Sequence, residues 1–143
     1  MLIKIKKLSE HAVIPTYGTA SSAGADLYAA LPVTVLPGET RLVSTGLAME
    51  IPEGYGGFIY ARSGLAAKRG LAPANKVGVI DADYRGEIMV ALYNQSGIPQ
   101  SVEAGERIAQ LVIAPVYQAN FEETDALSDT LRGAGGFGST GKK

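Results

Sequence analysis

Two aspartates and a tyrosine lie close together in residues 78–88, which read GVIDADYRGEI, with apolar residues on both sides of the polar centre. A carboxylate such as Asp81 or Asp83 can accept a proton from water as a general base, or it can anchor an oxygen-binding metal ion. Acidic residues and glycine are also common in turns, so the pattern by itself is more typical of a hairpin between two strands. The segment is a candidate catalytic loop only if other motifs support it.

A second group of residues suited to chemistry lies in the glycine-rich tail, residues 132–143, which read RGAGGFGSTGKK. Residues 136–142 nearly match the phosphate-binding loop G-x-x-x-x-G-K, but Lys143 follows where serine or threonine is needed and no helix is predicted after it. We therefore reject that loop. Glycines let backbone amides approach an anion, and Arg132 can bind phosphate oxygens with two N–H groups. The tail is predicted to be a mobile anion-binding lid, with Phe137 stacking on an aromatic ligand.

The composition narrows the chemistry and the partners. Fourteen acidic and thirteen basic residues give a net charge of -1, so no surface for nucleic acid or anionic lipid is indicated. With one histidine and no cysteine, a zinc centre or a thiol nucleophile cannot be assembled within one chain. No apolar run approaches the roughly 20 residues of a membrane span, and nothing resembles a signal peptide. The expectation is a cytoplasmic protein whose chemistry depends on carboxylates and an oxygen-binding metal ion.

The elements that must position these residues are predicted to be short strands, because turn-forming residues recur every eight to twelve positions along the chain. The expectation is an all-β fold, a distorted jelly-roll barrel or sandwich, in which residues 1–128 form the domain and residues 129–143 its mobile lid. Residues 63–70 are the one predicted helix, with Ser63 as its cap and Gly70 as its stop. Strands are expected at residues 3–6, 40–44, 47–51, 58–61, 87–93 and 108–115.

Three further short strings are weak alone but informative in their order: AGADL at residues 23–27, RSGL at 62–65 and RIAQL at 107–111. Together with the segment at residues 78–88 and the tail, they resemble the five ordered motifs of the trimeric dUTP diphosphatase (dUTPase) family. The resemblance runs from the first predicted strand to the last residues. It implies magnesium-assisted hydrolysis of dUTP to dUMP and pyrophosphate, which keeps uracil out of DNA and supplies dUMP for thymidylate synthesis.

The resemblance also implies roles for individual residues around the nucleoside. Asp81 would activate the attacking water and contact the sugar 3′-hydroxyl. Tyr84 would lie under the deoxyribose and leave no room for a 2′-hydroxyl. Asn75, together with main-chain groups of the segment that begins at Gly78, would read the uracil edge, while Phe137 would stack on the base.

For the triphosphate, the resemblance implies contacts from two regions of the chain. The expected phosphate-binding residues are Arg62, Ser63, Gly64, Gln110, Arg132, Gly138, Ser139 and Thr140. Asp26 would contact Mg²⁺ through coordinated water, with the ion held mainly by substrate phosphates. Arg107 could equally be a structural ion-pair residue.

The resemblance implies a homotrimer in which three subunits contribute to each site. Two alternatives stay open at this point: a dCTP deaminase-like enzyme, which would need an acid placed for the amine of cytosine, and a catalytically silent nucleotide-binding trimer. Assaying pyrophosphate and ammonia release would separate all three.

Overall fold

The computed structural model describes residues 1–136 of the 143-residue chain. These residues form twelve strands and one helix, so the predicted all-β class is confirmed. The strands are β1 (Lys4–Lys7), β2 (Thr16–Tyr17), β3 (Ala25–Tyr28), β4 (Val33–Val35), β5 (Thr40–Ser44), β6 (Leu47–Glu50), β7 (Tyr55–Tyr60), β8 (Leu71–Pro73), β9 (Gly78–Ile80), β10 (Met89–Asn94), β11 (Gln100–Val102) and β12 (Arg107–Pro115). The helix α1 is Ser63–Arg69, and residues 116–136 form neither helix nor strand.

The strands are arranged in four open antiparallel sheets, with no closed barrel among the described residues. The largest sheet has the order β2-β3-β12-β7-β9, and a second has the order β5-β10-β8. Two smaller sheets pair β1 with β6 and β4 with β11. The long strand β12 lies at the centre of the largest sheet because it pairs with β3 on one side and β7 on the other.

The core lies between the sheets and follows from the two-residue periodicity of the strands. In β10, Val90, Leu92 and Asn94 are buried, whereas the intervening residues are more exposed. Asn94 is the polar exception, and its amide group donates to the carbonyl oxygens of Val35 and Ile98. The other fully buried large side chains include Leu27, Leu47, Leu71, Ile108 and Val102.

The helix was predicted correctly in place but not in its cap. Arg62, with extended backbone angles, is the N-cap residue, and Ser63 is the first helical residue, so the predicted capping role of Ser63 is wrong. The Arg62 side chain makes no capping hydrogen bond, because a guanidinium has no acceptor for the helix N–H groups, and it donates to Asp26 instead. Gly70 ends the helix with a φ of +66°, as predicted.

Residues 78–88 do not form the expected simple hairpin. Strand β9 pairs with β7, whereas β10 pairs with β5 and β8, so within residues 1–136 the segment links two different sheets. Its far end is held by the turn after β5, since the Ile88 amide donates to the Leu47 carbonyl and the Ile88 carbonyl accepts from the Thr45 hydroxyl. The polar residues of the segment consequently lie at the open edge of the largest sheet.

Of the helices in residues 1–136, none has the length and apolar character that crossing a membrane requires.

Candidate active site

Four of the residues predicted to surround a nucleoside border one pocket. Asn75, Gly78, Asp81 and Tyr84 all line a cavity of about 310 Å³, whose apolar walls include Ile59. This volume is at the lower end of the range for small-molecule sites and suits a base with its sugar. The structure therefore brings these four residues together.

The pocket lies beside an edge strand, and this position makes backbone groups available. Among residues 1–136, strand β9 is the last strand of its sheet and pairs only with β7. One row of its N–H and C=O groups therefore faces away from the sheet, where such groups seek a hydrogen-bond partner. A flat polar ring edge entering the pocket would meet these groups.

Strand β9 packs closely against its neighbours at Gly78. A Cβ atom there would lie 3.2 Å from Cβ of Ile59 and 3.4 Å from the side-chain amide nitrogen Nδ2 of Asn75. Asn75 begins a tight turn, in which the Val77 amide donates to the Asn75 carbonyl at 2.7 Å. Lys76, between these two residues, has a φ of +67°. The absence of a side chain at Gly78 lets the Asn75 amide approach strand β9.

Asp81 follows directly after β9, and Tyr84 lies three residues further on. The Tyr84 amide donates to the Asp81 carbonyl at 3.2 Å, which folds the backbone into a turn. The Asp81 carboxylate is exposed and can meet a solvent water molecule. The Tyr84 hydroxyl donates to the Glu87 carbonyl at 2.9 Å, so the ring lies back over the end of its own loop.

A second cluster forms around Asp26 on the largest sheet. The Asp26 carboxylate is buried and accepts from Nε of Arg62 at 2.8 Å and from Nη1 of Arg107 at 3.3 Å. Gln110 lies directly opposite Asp26 across the β3–β12 pair. Two guanidinium groups on one carboxylate leave an excess positive charge, which suits an anionic ligand such as phosphate.

A β-bulge explains how Arg107 and Gln110 reach the same face. Residues three apart on a regular strand point to opposite faces. The β12 register shifts between Arg107 and Ala109, however, and the extra residue brings Arg107 and Gln110 to one side. Gln110 is also opposite Tyr60 of β7, so Arg62, two residues further on, continues that face.

The donor set fits a hydrated magnesium ion better than a metal caged by protein. Within residues 1–136, no group of three or more histidine or acidic side chains is placed to hold a metal ion. Both oxygens of Asp26 already accept from arginines, which leaves room for contact through water but no cluster of direct ligands. Mg²⁺ that is bound largely by phosphates and water needs no more than this.

The two clusters are separate within one chain. None of Asp26, Arg62 and Gln110 lines the pocket that holds Asp81 and Tyr84. Ser63 and Gly64 are exposed at the start of α1, beside Arg62. Arg132 is exposed, and its Nε donates to the Gly135 carbonyl at 2.7 Å within the same turn. The predicted residues Phe137, Gly138, Ser139 and Thr140 lie outside the described residues.

Sequence reasoning missed two features of these clusters. It linked Asp26 to magnesium and did not find its ion pair with Arg62, because 36 positions separate the two residues. It also gave no role to Gly86 and Glu87, which contact Tyr84. The RG dipeptide that follows Tyr84 was the only available signal for these residues.

Replacing Asp26 with asparagine should lower the free energy of unfolding by about 1–3 kcal/mol, because two arginines lose their shared counter-charge. The figure is at the lower end for a buried pair because the Arg62 and Arg107 side chains are 25% and 52% exposed. Urea unfolding of both proteins measures the difference. Glu50→Gln is the matched control, since it removes a carboxylate from the exposed pair with Lys4 and should change stability little. Equal effects of the two substitutions would contradict a stabilising role for the ion pairs of Asp26 with Arg62 and Arg107.

The fold and these clusters define a class of protein: a small all-β protein with a pocket at a sheet edge and a separate arginine cluster suited to an anionic ligand. Comparison with known proteins makes the assignment specific. The dUTPase family model matches residues 10–141, and the chain belongs to the dUTPase family.

Relatives and solved structures agree with this assignment. The chain is 55% identical to deoxyuridine 5′-triphosphate nucleotidohydrolase of Nautilia profundicola over 99% of its own length and 100% of the relative's. It is 50% identical to that of Maricaulis maris, covering 99% of this chain and 97% of that protein. The dUTPase of Staphylococcus bacteriophage 80alpha, solved with dUpNHpp, superposes with a TM-score of 0.92 at 30% identity, covering 98% of each chain. A dUTPase of S. aureus phage phi11, described with a structural Mg(II) ion, gives a TM-score of 0.81 at 26% identity, covering 88% of this chain and 98% of that one.

Proposed function

We propose that this enzyme hydrolyses dUTP to dUMP and pyrophosphate. The observation that carries the proposal is the pocket at the edge of β9, which joins Asn75, Gly78, Asp81 and Tyr84 in a chain of the dUTPase family. The binding of dUpNHpp by the phage 80alpha dUTPase, which shares this fold, supports the choice of substrate.

Uracil forms hydrogen bonds with the backbone N–H and C=O groups of β9 that face away from the sheet, and with the Asn75 side chain. The pairing edge of uracil shows acceptor, donor and acceptor, whereas cytosine reverses two of these groups. A mismatched base would leave buried polar groups unpaired, each costing about 1–3 kcal/mol. The close contacts around Gly78 support tight packing on this side of the pocket. Phe137 stacks on the base and covers it.

The deoxyribose packs on the Tyr84 ring. The hydrogen bond from Tyr84 to the Glu87 carbonyl holds the ring where it leaves no room for an additional hydroxyl. UTP is rejected for this reason. The Asp81 carboxylate accepts a hydrogen bond from the sugar 3′-hydroxyl.

The triphosphate binds to the arginine cluster and to the lid. Arg62, Ser63, Gly64 and Gln110 contact the phosphates from the β-domain. The lid, residues 129–143, contributes Arg132, Gly138, Ser139 and Thr140. Asp26 would hold Mg²⁺ through water, and the ion would supply charge neutralisation at the phosphate oxygens.

Asp81 acts on the attacking water. Its exposed carboxylate accepts a proton from the water as the water oxygen forms a bond to the α-phosphorus. The bond from that phosphorus to the α,β-bridging oxygen breaks, and pyrophosphate leaves with the electron pair. The arginines hold the triphosphate in line and stabilise its charge, so catalysis consists mainly of positioning and electrostatics.

The working form is a homotrimer with sites shared between subunits. Two features support this assembly. The nucleoside pocket and the arginine cluster are separate in one chain. In addition, residues 116–136 present Tyr117, Phe121, Leu127 and Leu131 almost fully exposed, as expected for an arm that packs on another subunit. Light scattering measures the mass of the protein in solution. A fully active protein with the mass of one chain would contradict the trimer.

The deciding experiment is an assay of the purified protein and magnesium with dUTP, dCTP, dTTP and UTP separately. Pyrophosphate release from dUTP alone, at least about 100-fold faster than from the others, is expected because mismatched groups cannot be accommodated. Ammonia release from dCTP would indicate a deaminase. Binding of dUTP without any product would indicate a silent nucleotide-binding trimer.

A further inference from the structure

We propose that Gly86 is a positioning residue that sets the place of the Tyr84 ring, and thereby the fit of the deoxyribose. The inference rests on the proposed function, in which Tyr84 packs against the sugar. Gly86 itself is assigned no contact with substrate and acts through the tyrosine.

The geometry behind the proposal is the space between Gly86 and the ring. A Cβ atom added to Gly86 would lie 2.4 Å from the Tyr84 hydroxyl oxygen, 2.6 Å from Cζ and 2.9 Å from Cε2. All three distances are shorter than real Cβ atoms show. Gly86 is not among the residues with positive φ, so its backbone conformation does not require glycine. Room for the ring is what requires it.

A second contact fixes the ring along its length. The Tyr84 hydroxyl donates to the Glu87 carbonyl at 2.9 Å, so the ring lies across the backbone of residues 86 and 87. Tyr84 is 45% exposed, and it borders the nucleoside pocket. Because the backbone blocks one side, a ring displaced from Gly86 moves away from residues 86 and 87, and the surface that it offers to the sugar is displaced with it.

The backbone under the ring is itself held by the domain. The Glu87 carboxylate accepts from the Ser44 hydroxyl and from the Gly46 amide, the latter at 2.9 Å. The next residue, Ile88, is buried, and its carbonyl accepts from the fully buried Thr45 hydroxyl at 2.6 Å. These contacts keep residues 86–88 from yielding to a larger side chain, so the ring must yield instead.

The first measurement compares Gly86→Ala with the unaltered enzyme on dUTP and UTP. For dUTP, kcat/KM should fall by about tenfold or more, mostly through KM, because the sugar loses its fit while Asp81 is unchanged. UTP is already excluded from the unaltered enzyme, so its kcat/KM has little left to lose. The kcat/KM for dUTP divided by that for UTP should therefore fall as well. Gly97→Ala is the matched control, as a Cβ atom there meets nothing within 4 Å, and it should leave both values unchanged. An unchanged KM for dUTP in Gly86→Ala would overturn the proposal.

A double-mutant cycle tests whether the effect passes through the tyrosine. In a Tyr84→Ala background there is no ring to displace, so adding Gly86→Ala should change kcat/KM by less than about twofold. The same loss in both backgrounds would mean that Gly86 acts on the loop backbone, which would overturn the proposal. Tyr84→Phe gives a second variant that adds no atoms. It removes the hydrogen bond to Glu87 and should raise the KM for dUTP by a smaller factor.

A spectroscopic measurement separates failure of this inference from failure of the proposed function. With ¹³C-labelled tyrosine, the Tyr84 ring resonance, assigned by its absence from Tyr84→Phe, should shift in Gly86→Ala and stay in place in Gly97→Ala. This result does not depend on turnover. If the unaltered enzyme does not hydrolyse dUTP, the proposed function fails while the ring shift still supports the positioning role. An unshifted ring overturns the positioning role whatever the activity.

Discussion

Replacing Asp81 with asparagine should lower kcat for dUTP hydrolysis by about 10²–10⁴-fold, the usual contribution of a general base. Asparagine has the same shape and still accepts a hydrogen bond from the sugar, but it cannot take a proton from the attacking water. The affinity for dUTP should therefore stay within about threefold of the original value. Single-turnover pyrophosphate release gives the rate, and calorimetric titration of the slow variant with dUTP and magnesium gives the affinity.

Asp83→Asn is the matched control for this experiment. Asp83 is also exposed and lies two residues further along the same loop, but it does not line the nucleoside pocket. Its replacement removes the same charge near the site and should change kcat by less than about threefold. Near-normal turnover in Asp81→Asn would remove Asp81 as the base. Equal losses in both variants would attribute the effect to charge near the site.

The long strands could be predicted from the sequence because their hydrophobic alternation is local. Residues 40–44 and 108–115 match β5 and β12 to within one residue. The strands β2, β4, β8 and β11 have only two or three residues each and were missed. A strand of that length has no readable period, and its partner strand determines it.

The predicted strand pairing within residues 78–88 was wrong for a related reason. Two apolar stretches around a polar turn predict a hairpin, since neighbouring strands usually pair. Here Ile80 pairs with Gly57 and Met89 pairs with Ser44, so each stretch joins a partner that is distant in the sequence. Such choices depend on which sheets close the core, and local sequence does not contain that information.

In the candidate site, too, the features that depend on local sequence could be predicted, whereas contacts between distant residues could not. Asn75, Gly78, Asp81 and Tyr84 lie within ten residues, so their joint pocket follows from one local segment. The contact between Asp26 and Arg107 spans 81 positions and depends on a bulge in β12 that no motif announces. The contact between Gly86 and Tyr84 is local, yet it depends on a ring orientation that the sequence pattern does not specify.

Removing residues 132–143 should lower kcat/KM for dUTP by about 10²–10⁴-fold, because the proposed lid supplies several charge-assisted hydrogen bonds of about 1.5–3 kcal/mol each. Every described strand and the helix precede this segment, so the shortened protein should keep its unfolding midpoint. Light scattering should still give the mass of three chains. Removing only Lys142 and Lys143 is the matched control and should leave activity nearly unchanged. An unaffected rate after the longer deletion would mean that the lid has no role in turnover.

Mixing the shortened chain with the Asp81→Asn chain then tests how the lid acts. If the lid and Asp81 of one site come from different subunits, hybrid trimers contain sites with an intact aspartate from one chain and an intact lid from another. Random reassortment of equal amounts should restore about one quarter of the activity of the unaltered enzyme, because each component is intact with a chance of about one half. If each lid closed over the aspartate of its own chain, no mixture would contain a complete site, and activity would stay at the level of the separate variants. Recovery of activity would therefore link the separated clusters of the single chain to a site completed by its neighbours.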